Sequence, residues 1–168
     1  MTIHSIVTLP DRRLRVNTKK ITTFDEPLQV LIADMFDSMY AAHGVGLAAT
    51  QIGLDLRIAV IDVEGDKKNQ YVLINPEVTM IGEVVNMHEG CLSVPHVSAE
   101  VKRATRVKLK ALDRHGKPYE LEASDLLAEC IQHEVDHLNG KLYIDLLSPL
   151  KRDRLLKKMD KVQRSENM

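Results

Sequence analysis

Leu28, Leu31, Ile32, Met35, Phe36 and Met39 recur at steps of three and four residues behind Asp25-Glu26-Pro27, which predicts an amphipathic helix ending before Gly44. From Arg57 the pattern becomes β-like. Residues 58–63 and 71–75 read as strands separated by the polar turn Gly65-Asp66-Lys67-Lys68. Residues 78–87, 101–112 and 119–121 continue in the same manner, with breaks at Gly82 and at Asp113-Arg114-His115-Gly116. Ser124 suits the N-cap of a second helix through Leu126, Leu127, Cys130, Ile131 and Leu138, and Asn139-Gly140 supplies its stop. After Pro149 a third helix, about 150–164, carries a sparse apolar edge of Leu155, Leu156, Met159 and Val162. The order predicts an α+β fold: a mostly antiparallel sheet packed around a central helix, with one helix before it and one at the C-terminal end.

A length of 168 residues, without repeats or a composition break, fits a single domain over 1–168 with a core of its own. Hydrophobic content of 44% with 28% charged residues is that of a globular protein, and no apolar run approaches the roughly 20 residues needed to cross a bilayer. The first residues lack the basic and apolar regions of a signal peptide, so a cytoplasmic location is expected, with no membrane partner. Two cysteines, Cys91 and Cys130, are too few for a disulfide framework. Charge is uneven: from Ser148 onward seven bases face three acids, a local +4, and the overall −1 leaves −5 for the rest. A basic terminal helix suits an RNA surface, although a merely solvated helix has the same composition.

The second predicted helix contains His133-Glu134-Val135-Asp136-His137. At 3.6 residues per turn the two histidines share one face and can grip one divalent metal, with Glu134 placed to handle the proton of an activated water. A solvated helix face could carry the same residues, so further ligands decide. A catalytic metal needs a third protein ligand. Downstream of His137 there is no histidine, and the acids are Asp145 and, in the basic segment, Asp153, Asp160 and Glu166. That weakens the reading as a zinc peptidase with a downstream ligand. A metal-stabilised RNA-binding module would need a fourth ligand, and none stands out. Upstream, Cys91 in Glu89-Gly90-Cys91-Leu92-Ser93-Val94-Pro95 fits as a thiolate, with Gly90 expected to allow a tight turn and Pro95 to stiffen its exit. Cys130 reads more simply as a buried small hydrophobe. Gly44-Val45-Gly46-Leu47-Ala48-Ala49-Thr50-Gln51 lacks the Lys-Ser/Thr pair of a phosphate loop. It reads better as a floor for an extended peptide, with Gln51 aimed at a reacting carbonyl.

These three segments, in this order, resemble the GxGLAAxQ, EGCLS and HExDH motifs of the peptide deformylases, whose members remove the formyl group from N-terminal formylmethionine in new bacterial proteins. The resemblance implies that Cys91, His133 and His137 bind the metal and that Glu134 is general base and acid. It implies oxyanion donors in Gln51 and the Leu92 backbone N–H. It further implies that Val45 and Gly46 pair with substrate in β fashion, that Glu89 and Gly90 lie along it, and that Met87, Leu126, Cys130 and the carbon face of His133 contribute to the methionine pocket. One divalent ion is implied, Fe2+ in the cell, with Zn2+, Ni2+ or Co2+ able to take its place; the Cys-His-His set alone suggests zinc. The implied partners are formylmethionyl nascent peptides and, through the basic terminal helix, the ribosome surface.

Two positions depart from the resembled pattern. Ser98 stands where bacterial members often carry Arg, which bears on contacts to the substrate backbone. Glu129 stands where an apolar residue is usual, which bears on the pocket lining. Asp136 is either a solvent-facing acid or a partner for Arg103 that braces the metal helix.

Overall fold

The computed structural model describes residues 2–167. Five strands, β1 (Gly46–Ala48), β2 (Ile58–Ile61), β3 (Tyr71–Cys91), β4 (Val94–Leu112) and β5 (Pro118–Ser124), form one sheet in sequence order, every neighbour antiparallel. Three helices accompany it: α1 (Glu26–Ala41), α2 (Asp125–Leu138) and α3 (Pro149–Glu166). This is the α+β architecture that the sequence predicts.

β2 shows why the sheet lies between helices. Its run Ile58-Ala59-Val60-Ile61 is buried throughout, and period two sends alternate residues to opposite faces. Ile58 and Val60 join Ile32, Met35 and Met39 of α1, whereas Ala59 and Ile61 join Ala128, Ile131 and Val135 of α2. Asp25 caps α1 by accepting from the Leu28 N–H at 3.1 Å, and Pro27 opens its first turn. The metal-motif helix α2 therefore has an apolar back seated on the sheet and a polar front turned to the remaining space.

Several elements differ from expectation. Residues 71–75 and 78–87 are not separate strands but parts of the 21-residue β3, in which Pro76 and Gly82 sit at register shifts rather than at ends. A bulge absorbs the missing N–H of Pro76 and the positive φ of Gly82 (78°) while pairing resumes beyond each. Gly90 makes no turn: it is paired with Ser98 inside the hairpin, and the chain reverses at Leu92-Ser93. Ser124 occupies the N-cap of α2 but its side chain caps nothing. The third helix runs slightly longer than expected, with Met159 buried and Leu155 and Leu156 packed beside Val101, Tyr143 and Ile144. Among the described residues no helix is long and apolar enough to cross a membrane.

Candidate metal centre and active-site cavity

The tip of the β3–β4 hairpin carries Cys91 over the polar front of α2. There its Sγ lies 3.3 Å from His137 Nε2, and His137 Nε2 lies 3.2 Å from His133 Nε2. Among the described residues this is the one cluster of metal-ligating groups, and no fourth His, Cys or acid joins it. Neither the downstream ligand of a zinc peptidase nor the closed set of a structural metal is present.

The donor set fits a divalent cation. Glu89 Oε1 lies 2.7 Å from His133 Nδ1, which places the ring proton on Nδ1 and leaves the Nε2 lone pair facing the cluster. A thiolate and two imidazole lone pairs aimed into one small space repel one another unless positive charge sits between them. Burial lowers the affinity of His133 for a proton, but Cys91 and Glu89 outweigh it and hold that ring well up. Burial and the nearby His133 drive His137 well down, towards the neutral form that a ligand requires. Its Nδ1 is buried without a partner among the described residues.

Behind His133 runs an ion-pair chain. Arg103 on β4 donates to both Glu89 oxygens, at 2.7 and 2.9 Å, and its Nη1 donates to Asp136 Oδ2 at 2.6 Å. Asp136 is therefore a partner of Arg103. Burial opposes ionisation of Glu89, yet the bonds from Arg103 and His133 prevail and lower its pKa to about 2. Gln132 fastens the helix itself: its Oε1 accepts from Ala104 N–H at 3.0 Å and its Nε2 donates to Ala104 C=O at 2.9 Å.

A cavity of about 540 Å³ opens beside the cluster. Glu134 faces it from α2; burial pushes this carboxyl up to about 7, and its Oε1 has no partner. Glu134 also explains Gly46, where a Cβ would lie only 2.5 Å from Glu134 Oε2. Gln51 is buried and oriented at both ends: its Oε1 accepts from Ala48 N–H at 3.0 Å, and its Nε2 lies 3.2 Å from Ser93 Oγ and 3.7 Å from Cys91 Sγ. Leu92 follows Cys91 on the cavity wall. Val45 and Gly46 line the opposite side, where β1 pairs with β2 along one edge only.

Leu126, Cys130, Glu89 and Gly90 also reach the cavity, whereas Met87 does not line it. Cys130 is buried, and burial pushes its thiol well up, in keeping with a small hydrophobe. Ser98, at one side, is hydrogen-bonded to His88 at 2.8 Å. Glu129 lines the wall with Oε2 buried and unpartnered; burial, followed by the Glu89 charge, pushes it up to about 7.

Sequence reasoning missed the bond from Glu89 to His133, the Gln132 clamp and the rim histidines His43, His88 and His96. Strand parity offered a signal for the first, because Glu89 and Cys91 stand two apart and must share a face.

Residues 3–153 match the family model described as Polypeptide deformylase. The chain is 56% identical over 162 residues to the peptide deformylase of Chromohalobacter salexigens, covering 96% of this chain and 95% of that one. It is 54% identical to that of Hahella chejuensis, over 93% of this chain and 94% of that one. Among solved structures, a peptide deformylase from Legionella pneumophila superposes with a TM-score of 0.95 at 55% identity, covering 99% and 98% of the two chains. One from Synechococcus elongatus, in complex with actinonin, gives 0.87 at 39% identity, covering 94% and 86%.

Proposed function

The chain belongs to the polypeptide deformylase family, and we propose that Cys91, His133 and His137 hold its metal while Glu134 moves the proton. The protein is a metal-dependent hydrolase that removes the N-formyl group from the formylmethionine of newly synthesised proteins, releasing formate. The residue assignment rests on one observation: three ligand atoms, all within 4.8 Å of one another, converge beside a buried carboxyl that has no other employment.

A divalent metal on Cys91 Sγ and the two Nε2 atoms supplies Lewis acidity and lowers the pKa of water towards neutrality. The chain's own groups do the rest. The unpaired edge of β1 at Gly46, with Val45 just before it, takes the formyl-peptide as an added strand, and Glu89 and Gly90 lie along the facing wall. Leu126, Cys130 and the carbon face of His133 receive the methionine side chain. Glu134 takes a proton from the attacking water and returns it to the departing amine nitrogen; a pKa near 7 suits both transfers. Gln51 Nε2 and the Leu92 N–H donate to the oxygen of the formyl carbon as it gains charge.

Ferrous iron is the metal we assign, with zinc, nickel or cobalt admitted by the same donors; thiolate-bound iron is sensitive to oxidation. Residues 1–168 act as one catalytic domain in the cytoplasm, and the exposed bases of α3 dock on ribosomal RNA near emerging chains. The family match and the near-complete overlap with relatives support the first of these, and the +4 charge of the terminal segment supports the second.

The test is formate release from formyl-Met-Ala-Ser by protein loaded anaerobically with Fe2+, beside Cys91→Ala and Glu134→Ala. Wild type releases formate, Cys91→Ala loses metal, and Glu134→Ala retains metal while losing roughly 100-fold or more in rate. An unchanged rate in Glu134→Ala would sink the proton assignment.

A further inference from the structure

Three carboxyl side chains reach the cavity: Glu89, Glu129 and Glu134. Arg103 and His133 engage Glu89, and the reaction uses Glu134. Glu129 approaches Glu89 but accepts no hydrogen bond from the protein at Oε2 and has no step. Its place on α2 is informative, because Leu126, Glu129, Cys130 and His133 follow one another at i, i+3, i+4 and i+7 and all four line the cavity. The wall between the apolar Leu126 and the metal ligand His133 therefore carries a carboxyl group.

That carboxyl has no protein donor. Oε2 is sealed from solvent without a hydrogen bond, whereas Oε1 is not among the sealed atoms. An apolar side chain entering the pocket strips the remaining water from the group and offers nothing in return. A side chain of equal reach ending in an N–H replaces that water with a hydrogen bond. Sites that contain a buried polar group discriminate on this basis more sharply than apolar pockets discriminate on size.

We propose that Glu129 is a specificity-determining residue that places a hydrogen-bond acceptor in the first-side-chain pocket. It shifts preference towards N-formyl peptides whose first side chain ends in an N–H or O–H donor. The inference rests on the deformylase reading above. Methionine lies between the two extremes, since its thioether is apolar in bulk and is only a weak acceptor.

The experiment compares formyl-Gln-Ala-Ser with formyl-norleucine-Ala-Ser, side chains of equal reach that differ in the terminal amide, using formyl-Met-Ala-Ser as reference. Metal-loaded wild type, Glu129→Leu and Glu129→Gln are assayed for kcat/KM. An unpaired buried polar group costs enough that the Gln-to-norleucine ratio should fall about tenfold in Glu129→Leu and hold within about threefold in Glu129→Gln. The change should appear in KM rather than kcat, because the group touches the side chain and not the reacting atoms. Glu129→Ala, which removes the carboxyl without filling its space, should move the ratio in the same direction. A ratio unchanged in both Glu129→Leu and Glu129→Ala overturns the inference and leaves the deformylase reading standing. No formate from any of the three peptides with wild type overturns both.

Discussion

Gly46 shows how one residue joins fold to chemistry. It lies in the edge strand β1, paired with Ile61, while the side across the strand is pressed by the Glu134 carboxyl. A Cβ there would stand 2.5 Å from Oε2 and 3.0 Å from Cδ of Glu134, so the side chain that must move is the one proposed to carry the proton. That atom is the far end of a flexible side chain and can yield without unfolding anything. Gly46→Ala should therefore keep its thermal midpoint within a few degrees of wild type yet lose roughly 10- to 100-fold in kcat/KM, part of the usual worth of a positioned acid–base group. Calorimetry beside formate release would check this, and parallel losses of stability and activity would refute it. The clustering of His133, Glu134 and His137 was legible in the sequence because helical spacing alone brings them to one region. Glu89 was read as lying along the substrate, because its bond to His133 spans 44 positions and only strand parity hinted at it.

The decisive element is α2, and its attachment to the sheet is polar as well as apolar. Gln132 satisfies both backbone groups of Ala104, beside the register shift in β3–β4 pairing, and also donates to Ala128 C=O at 3.0 Å. Gln132→Leu would leave these buried groups unpaired at a cost of about 2–4 kcal/mol, a drop of roughly 5–15 °C in Tm that circular dichroism would register. A shift under about 2 °C would show that the clamp is dispensable. A second staple holds the loop behind β1. Asp62 is buried, accepts from Tyr40 Oη and from the Gly65 and Lys67 N–H groups, and donates its own N–H to Val45 C=O at 2.8 Å. Burial raises its pKa, but these hydrogen bonds prevail and hold it below the ordinary 3.8. A lowered carboxylate contributes stability that is complete above the unfolded value and lost as pH falls through the folded one. The advantage of wild type over Asp62→Asn should thus be full at neutral pH and shrink below about 3.8, as measured by urea unfolding across pH. Helices were legible here because their periodicity is local. The length of β3 was not, since the gap at residues 76–77 and the break at Gly82 become bulges only when β4 lies alongside.

Across the whole molecule, α3 presents two distinct faces. Its inner edge, Met159 with Leu155 and Leu156, packs on Val101, Leu142, Tyr143 and Ile144, beneath the hairpin that presents Cys91. Its outer face exposes Lys151, Arg154, Lys157, Lys158, Lys161 and Arg164. The sparse apolar edge made the docking readable from sequence, whereas the use of the basic face is a question of what lies outside the chain. The faces can be tested apart. Met159→Ala empties a buried site and should cost about 2–5 kcal/mol of stability, with activity falling only as the protein unfolds. Reversing Lys157 and Lys161 to Glu removes positive charge from solvated positions, where single changes cost little stability. Turnover of a formyl tripeptide and Tm should remain near wild type, while co-sedimentation with ribosomes should weaken and lose part of its dependence on salt, because fewer phosphate counterions are released. Ribosome binding that is unaffected by the reversal, or insensitive to salt in wild type, would remove the docking role from α3 and leave it as a support for the hairpin alone.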